Sequence, residues 1–177
     1  MVFMIPYALG MAVTVRVGQA LGRGEPRQAR YAAGIGMLAA LGYACVSASA
    51  MFLSREYIAR VYTNDSAVIA VASSLIIFAA LFQFSDAIQV TAAGALRGYQ
   101  DTRVTMLLTL FAYWGIGMPV GYGLAWTDFW GPASGPRGLW QGLIAGLTCA
   151  AIMLGIRLLR SGKQRIQLHE QQLARRD

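Results

Sequence analysis

The sequence predicts an all-α, polytopic transmembrane helix bundle, and three observations carry that prediction. Hydrophobic residues make up 56% of the 177 residues and charged residues only 13%, whereas a water-soluble domain carries charge on roughly a quarter of its residues. The charges are also segregated: Tyr31–Leu53 has none, and Ala67–Leu96 has a single one, Asp86. Finally, the apolar runs have the length that crosses a bilayer, about 20 residues for roughly 30 Å of hydrocarbon.

Each element follows in order. Residues 1–21 are mostly apolar but short for a span, and Pro6 and Gly10 interrupt them as membrane helices tolerate. A basic n-region and a small-residue cleavage site are both missing, so the segment does not read as a signal peptide. It is expected to be the second half of a span whose first half precedes Met1. Residues 16–30 form a polar connection with four arginines, in which Gly22 and Gly24 favour a turn and Pro26 suits the first turn of the next helix. Residues 31–53 are a full span. Residues 54–65 form a short loop of amphipathic character, and Asn64-Asp65-Ser66 offers an N-cap for the span at 67–96. RGYQDTR at 97–103 is a tight polar turn before the span at 104–126. Residues 127–137, with two glycines and two prolines, form a loop before the last span, 138–156. The expectation is four full spans plus one truncated span within 1–160. A basic cytoplasmic tail covers 161–177, helical at first and then fraying.

Basic residues orient the bundle. Arg16, Arg23, Arg27, Arg30, Arg97 and Arg103 alternate to one side, joined by Arg157, Arg160, Lys163, Arg165, Arg175 and Arg176. The other side holds only Arg55, Arg60 and Arg137. Because basic connections stay in the cytoplasm, the C-terminus is expected to be cytoplasmic in a bacterial inner membrane. Tyr57, Trp126 and Trp130 then fall at the outer interface, where aromatic side chains concentrate.

Several function classes lose support. The net charge of +7 is spread between apolar segments rather than gathered on one face, so nucleic acid is not an expected partner. Cys45 and Cys149 lie in apolar runs without a CxxC and read as small buried hydrophobes. His169 stands alone in the tail and makes no metal site. None of HExxH, GxSxG or a phosphate loop occurs, so the chain is not expected to be an enzyme or to need a cofactor.

Asp86 is the residue that points to chemistry. It lies 11 positions before Arg97, about 16 Å along a helix and therefore near the midplane. A charge there costs roughly 2.5–3.5 kcal/mol by insertion scales, and such residues ordinarily face a cavity or the bundle interior. Gln83 and Gln89, three residues to either side, share a broad helical face with it. This amide–carboxylate–amide stripe suits a cation such as Na⁺, or a proton; the competing structural role is a hydrogen bond between helices. Pro119, flanked by Gly117 and Gly121, is a candidate helix hinge. Gly117 and Gly121, with Gly138, Gly142 and Gly146, have the spacing that lets helices approach closely, most simply within the chain. Met4, Met11, Met37, Met51, Met106, Met118 and Met153 sit in or near spans, suited either to ordinary packing or to an adaptable pocket.

VTVRVGQALGRG at 13–24, FQFSDAIQV at 82–90, GALRGYQDTR at 94–103, AYWGIGMPVGYGLAWTD at 112–128 and GLWQGLIAGLTCAAIM at 138–153 carry a family resemblance. Together they resemble the C-terminal lobe of the multidrug and toxic compound extrusion (MATE) transporters, most closely the bacterial branch. The resemblance implies a secondary antiporter of twelve helices in two lobes, which exchanges Na⁺ or H⁺ for organic cations and other drugs. It implies that Asp86 matches the cation-site aspartate of the tenth helix. Relatives often carry Tyr four residues earlier; Phe82 stands there instead. Residues 1–21 would be the end of the eighth helix. The seventh helix, with the family's glutamate partner, and the N-terminal lobe would precede Met1. Expected partners are membrane lipids, the missing lobe and helix, and small organic cations. A non-transporting membrane fragment or scaffold, or a lipid-linked oligosaccharide flippase, is the alternative.

Overall fold

A computed structural model describes residues 4–62, 65–126 and 136–175, and these are helical apart from short turns. The helices are α1 (Met4–Gly22), α2 (Pro26–Leu53), α3 (Arg55–Tyr62), α4 (Ser66–Gly98), α5 (Thr102–Leu110), α6 (Met118–Trp126) and α7 (Pro136–Ala174). A π-helical stretch, Phe111–Gly117, joins α5 to α6, so Thr102–Trp126 is one continuous span. Among the described residues four helices are long and apolar enough to cross a membrane, and α1 is not among them. Four full spans and a shorter fifth helix agree with the fold expected from the sequence.

α4 is the central helix and packs against α1, α2 and α7. Lipid is as apolar as leucine, so such helices associate by close packing and interhelical hydrogen bonds rather than by escape from water. The buried clusters are accordingly rich in alanine: Ala29, Ala33 and Ala95 in one, Ala40, Ala44 and Ala87 in another. Many large side chains point outward, among them Leu38, Val46 and Trp114. Cys45 is exposed on this outer surface, contrary to the expected buried position, because facing lipid costs a thiol nothing in transfer. Cys149 is half-buried and sits 3.5 Å from the Met153 sulfur.

The expected polar connection at 16–30 shrinks to Arg23–Glu25. α1 continues through Arg16 because Val13, Val17 and Ala20 are buried on its inner side while Arg16 points outward. The helix ends in a Schellman motif, with bonds from Glu25 N–H to Ala20 O and from Gly24 N–H to Leu21 O. Gly24 takes φ +74° there. The α4–α5 turn repeats the motif, Asp101 N–H to Leu96 O and Gln100 N–H to Arg97 O, but Gln100 occupies the left-handed position at φ 62°. The expected loop at 54–65 contains α3, whose Glu56 lies in the first turn and Arg60 in the last, each favoured by the helix dipole. Asp65 stands before α4 and its carbonyl accepts the Ile69 N–H at 2.9 Å. Asn64, Trp130 and the loop expected at 127–137 up to residue 135 lie outside the described residues. Tyr57 and Trp126 are exposed.

The largest departure is the tail, which does not fray. α7 runs 39 residues, about 58 Å, and polar contacts hold its far end. The Asp101 carboxylate accepts from Arg157 Nε at 2.6 Å and from Ser161 Oγ at 3.2 Å. Arg165 donates to the Tyr99 carbonyl at 3.3 Å, and Arg27 pairs with Glu170 at 2.8 Å. Burial pushes the Tyr99 phenol above its ordinary range, against the opposing pull of Arg30 and Arg165.

Three stability outcomes follow from these contacts and from the α4–α5 turn. Asp101→Ala leaves Arg157 without its half-buried partner and should cost about 1–3 kcal/mol. Arg27→Ala breaks an exposed pair and should cost less than about 0.5 kcal/mol. Gln100→Gly relieves the left-handed backbone and should stabilise by roughly 0.5–1 kcal/mol. Thermal melting of the detergent-solubilised chain by circular dichroism checks all three.

Candidate functional site

The position of Asp86 is set by how α4 meets α1. A Cβ on Gly94 would strike the backbone of Gly10, and one on Gly98 would lie 2.8 Å from Thr14 O. The Thr14 hydroxyl donates towards the carbonyls of both Gly10 and Gly94, at 2.9 and 2.8 Å. This fixes α4 along its axis and leaves Asp86, two to three turns earlier, facing a cavity beyond the contact.

That cavity measures about 220 Å³ and includes Asp86 and Gln83 in its lining. Pro6 of α1 and Tyr43 and Met51 of α2 face it, as does Phe82. Gln83 donates its amide N–H to the Met51 sulfur at 3.0 Å, and its Oε1 is buried with no hydrogen-bond partner. A carboxylate, an unpartnered amide oxygen and a phenol therefore border one small space. Such hard oxygen donors suit a cation or a proton rather than a soft metal. Among the described residues no group of three or more His, Cys, Asp or Glu gathers to hold a metal ion.

Gln89 is separated from this set. Its Oε1 accepts the Tyr113 hydroxyl at 3.0 Å, across from α4 to the π-helical stretch. Two steps of three residues turn the helix far enough to divide the stripe: Gln83 and Asp86 line the cavity and Gln89 ties two helices together. Ser85 makes the corresponding contact to α7, 2.8 Å to the Thr148 hydroxyl. Phe82 stacks edge-on against Trp140, centroids 6.3 Å apart. Sequence reasoning did not find Tyr43 or Tyr113. Tyr43 lies in none of the quoted motifs, and nothing within AYWGIGMPVGYGLAWTD singles out Tyr113, since each meets α4 from a helix distant in sequence.

Pro119 acts through the residues before it. It has no N–H to donate, and its ring crowds the carbonyl four residues back. The chain widens there into the π-helical turn, with the Met118 N–H bonded to Tyr113 O. Gly117 and Gly121 lie directly against α7: a Cβ on Gly146 would come 2.8 Å from Gly117 Cα, and one on Gly142 would strike Gly121. The glycine spacing is intramolecular packing.

The chain matches the MatE family over residues 1–123. It is 72% identical over 170 residues to the multidrug resistance protein PmpM of Pseudomonas aeruginosa, covering 96% of this chain and 36% of that protein. It is 52% identical over 162 residues to the probable multidrug resistance protein NorM of Xanthomonas campestris, covering 92% and 34%. Among solved structures it is similar to the eukaryotic MATE transporter AtDTX14, with TM-score 0.83, 27% identity, and 96% of this chain and 38% of that one covered. An inward-facing multidrug resistance MATE family transporter matches with TM-score 0.75 at 17% identity, a likeness of fold, covering 96% and 38%. The chain spans about a third of the length of the curated relatives it matches.

Cavity access is measurable. In a background with Cys45 and Cys149 replaced by Ala, Gln83→Cys should react with a small water-soluble thiol reagent at least about tenfold faster than Thr91→Cys, because Thr91 is fully buried. Equal rates would mean that the cavity is closed to solvent.

Proposed function

This chain belongs to the MatE family, and on that premise we propose that it supplies the cation-coupling lobe of a multidrug efflux antiporter that exchanges Na⁺ or H⁺ for organic cations. The observation that carries the reading is Asp86, within the span Val71–Gly98 and lining a cavity beside the unpartnered Oε1 of Gln83. An ionised carboxylate in a bundle is expensive, and a bound cation or proton removes the uncompensated charge. Occupancy of Asp86 thus changes the electrostatics of one cavity between charged and neutral. That difference is what a coupled exchanger requires of its site.

In this reading the neighbouring side chains divide the work. Gln83 Oε1 and the Tyr43 phenol add neutral oxygen donors, and Tyr43 stands in for the hydroxyl that Phe82 lacks. Met51 and Phe82 give the same cavity an adaptable apolar wall for an organic cation. Gln89, held by Tyr113, positions α4 and does not touch the ion. The names of the relatives, multidrug resistance proteins, support efflux over lipid-linked oligosaccharide export. The charge distribution supports a multi-pass protein of the bacterial inner membrane with a cytoplasmic C-terminus.

The test is efflux of a fluorescent organic cation from pump-deficient cells that express the protein. Asp86→Asn should lower cation-coupled efflux at least about tenfold. Asp86→Glu should keep part of it, and Gln83→Leu should raise the coupling-ion concentration needed for half-maximal rate. Wild-type efflux from Asp86→Asn would sink the assignment.

A further inference from the structure

A second and larger cavity lies between α1 and α2, about 670 Å³ and open along its length. Its polar end is built by Arg16 of α1 and Arg23, the residue just past the end of that helix, with Gln28 and Tyr31 of α2. Away from that end the walls become wholly apolar, with Leu9 and Ala12 on one side and Ile35 and Ala39 on the other. The floor is the close approach of the two helices, where a Cβ on Gly36 would collide with Val13.

The dimensions and charges of this groove match one kind of occupant. From Gln28 to Ala39 the α2 wall is about 16 Å long, the depth of one leaflet, half of a hydrocarbon core of roughly 30 Å. Arg16 and Arg23 are seven residues apart, two turns on one helical face, so both head groups serve the same end. Arg23 Nε contacts Glu25 at 3.1 Å, which leaves the rest of its guanidinium open. Arg16 has no ion-pair partner among the described residues and is exposed. It lies six residues inside the end of α1, about 9 Å, a depth from which arginine reaches back to the interface. An unpaired guanidinium at that depth calls for an anion at the membrane surface, and the apolar walls below it call for a hydrocarbon chain.

We propose that this groove binds a phospholipid with an anionic headgroup. Its phosphate lies between Arg16 and Arg23, with Gln28 and Tyr31 as neutral donors, and one acyl chain lies along Leu9, Ala12, Ile35 and Ala39. The site shares no lining residue with the Asp86 cavity and does not depend on transport.

The experiment is native mass spectrometry of the purified chain equilibrated in detergent with equal amounts of phosphatidylglycerol and phosphatidylcholine. Wild type should retain phosphatidylglycerol at least about tenfold over phosphatidylcholine, as a charge-selective site requires. Arg16→Gln/Arg23→Gln should abolish the selectivity. Ala39→Trp leaves every charge in place, fills the apolar run from an exposed position, and should displace the lipid as well. Either variant with native circular dichroism suffices. Equal retention of the two lipids by wild type would overturn the proposal. So would selectivity that survives Ala39→Trp, which would mean surface adsorption, or a dimer in place of bound lipid, which would mean that a second copy fills the groove.

Discussion

The contact of Gly10 with Gly94 sets the rest of the bundle. Two backbones touch there with no side chain between them, and the Thr14 hydroxyl reaches the carbonyls of both helices. In hydrocarbon, where burial of apolar surface gives helices no preference for one another, such closeness is what holds a particular pair in a particular register. Because α4 also packs on α2 and α7, its register against α1 places Asp86, Ser85 and Gln89 at once. A side chain larger than hydrogen at Gly94 would push α4 away and move all three.

Polar chemistry within the spans is then divided by direction around one helix. Ser85 turns to Thr148, Gln89 to Tyr113, and Asp86 with Gln83 to the cavity. Two of these hold the bundle together, and the third opens onto the cavity. The cytoplasmic end expected from the charges is organised differently. There Asp101 gathers Arg157 and Ser161, and the final turns of α7 are fastened beside the α4–α5 turn.

Much of this was legible in the sequence, for physical reasons that can be named. Span lengths follow from bilayer thickness, and Asp86 stood out because a charge in an apolar run is costly. The spacing of Gly117, Gly121, Gly142 and Gly146 reads as close packing within the chain, and these glycines meet across the seam with α7. Boundaries were less legible. Arg16 looked like the start of a loop, because periodicity on the buried face, Val13, Val17 and Ala20, counts for more than one outward charge. The tail looked prone to fray because the partners that hold it, Asp101 and Arg27, are far away in sequence. The division of Gln89 from Gln83 depends on Tyr113 and Met51, neighbours that no local pattern announces. The buried reading of Cys45 failed because its outward neighbour is lipid and not water.

The π-helical turn at Phe111–Gly117 has a consequence for the length of the chain itself. A single such turn holds one residue more than an α-helix needs for the same rise, and every residue beyond it is rotated by about 100° relative to an uninterrupted helix. Gly121 meets Gly142 only with that rotation in place. The span therefore carries a built-in phase correction, and insertions or deletions are not equivalent along it. One residue lost within the turn shortens the bulge and preserves the facing of α6. One residue lost in α5 or α6 turns the glycine seam away from α7, in a protein whose helices have little else to recognise each other by.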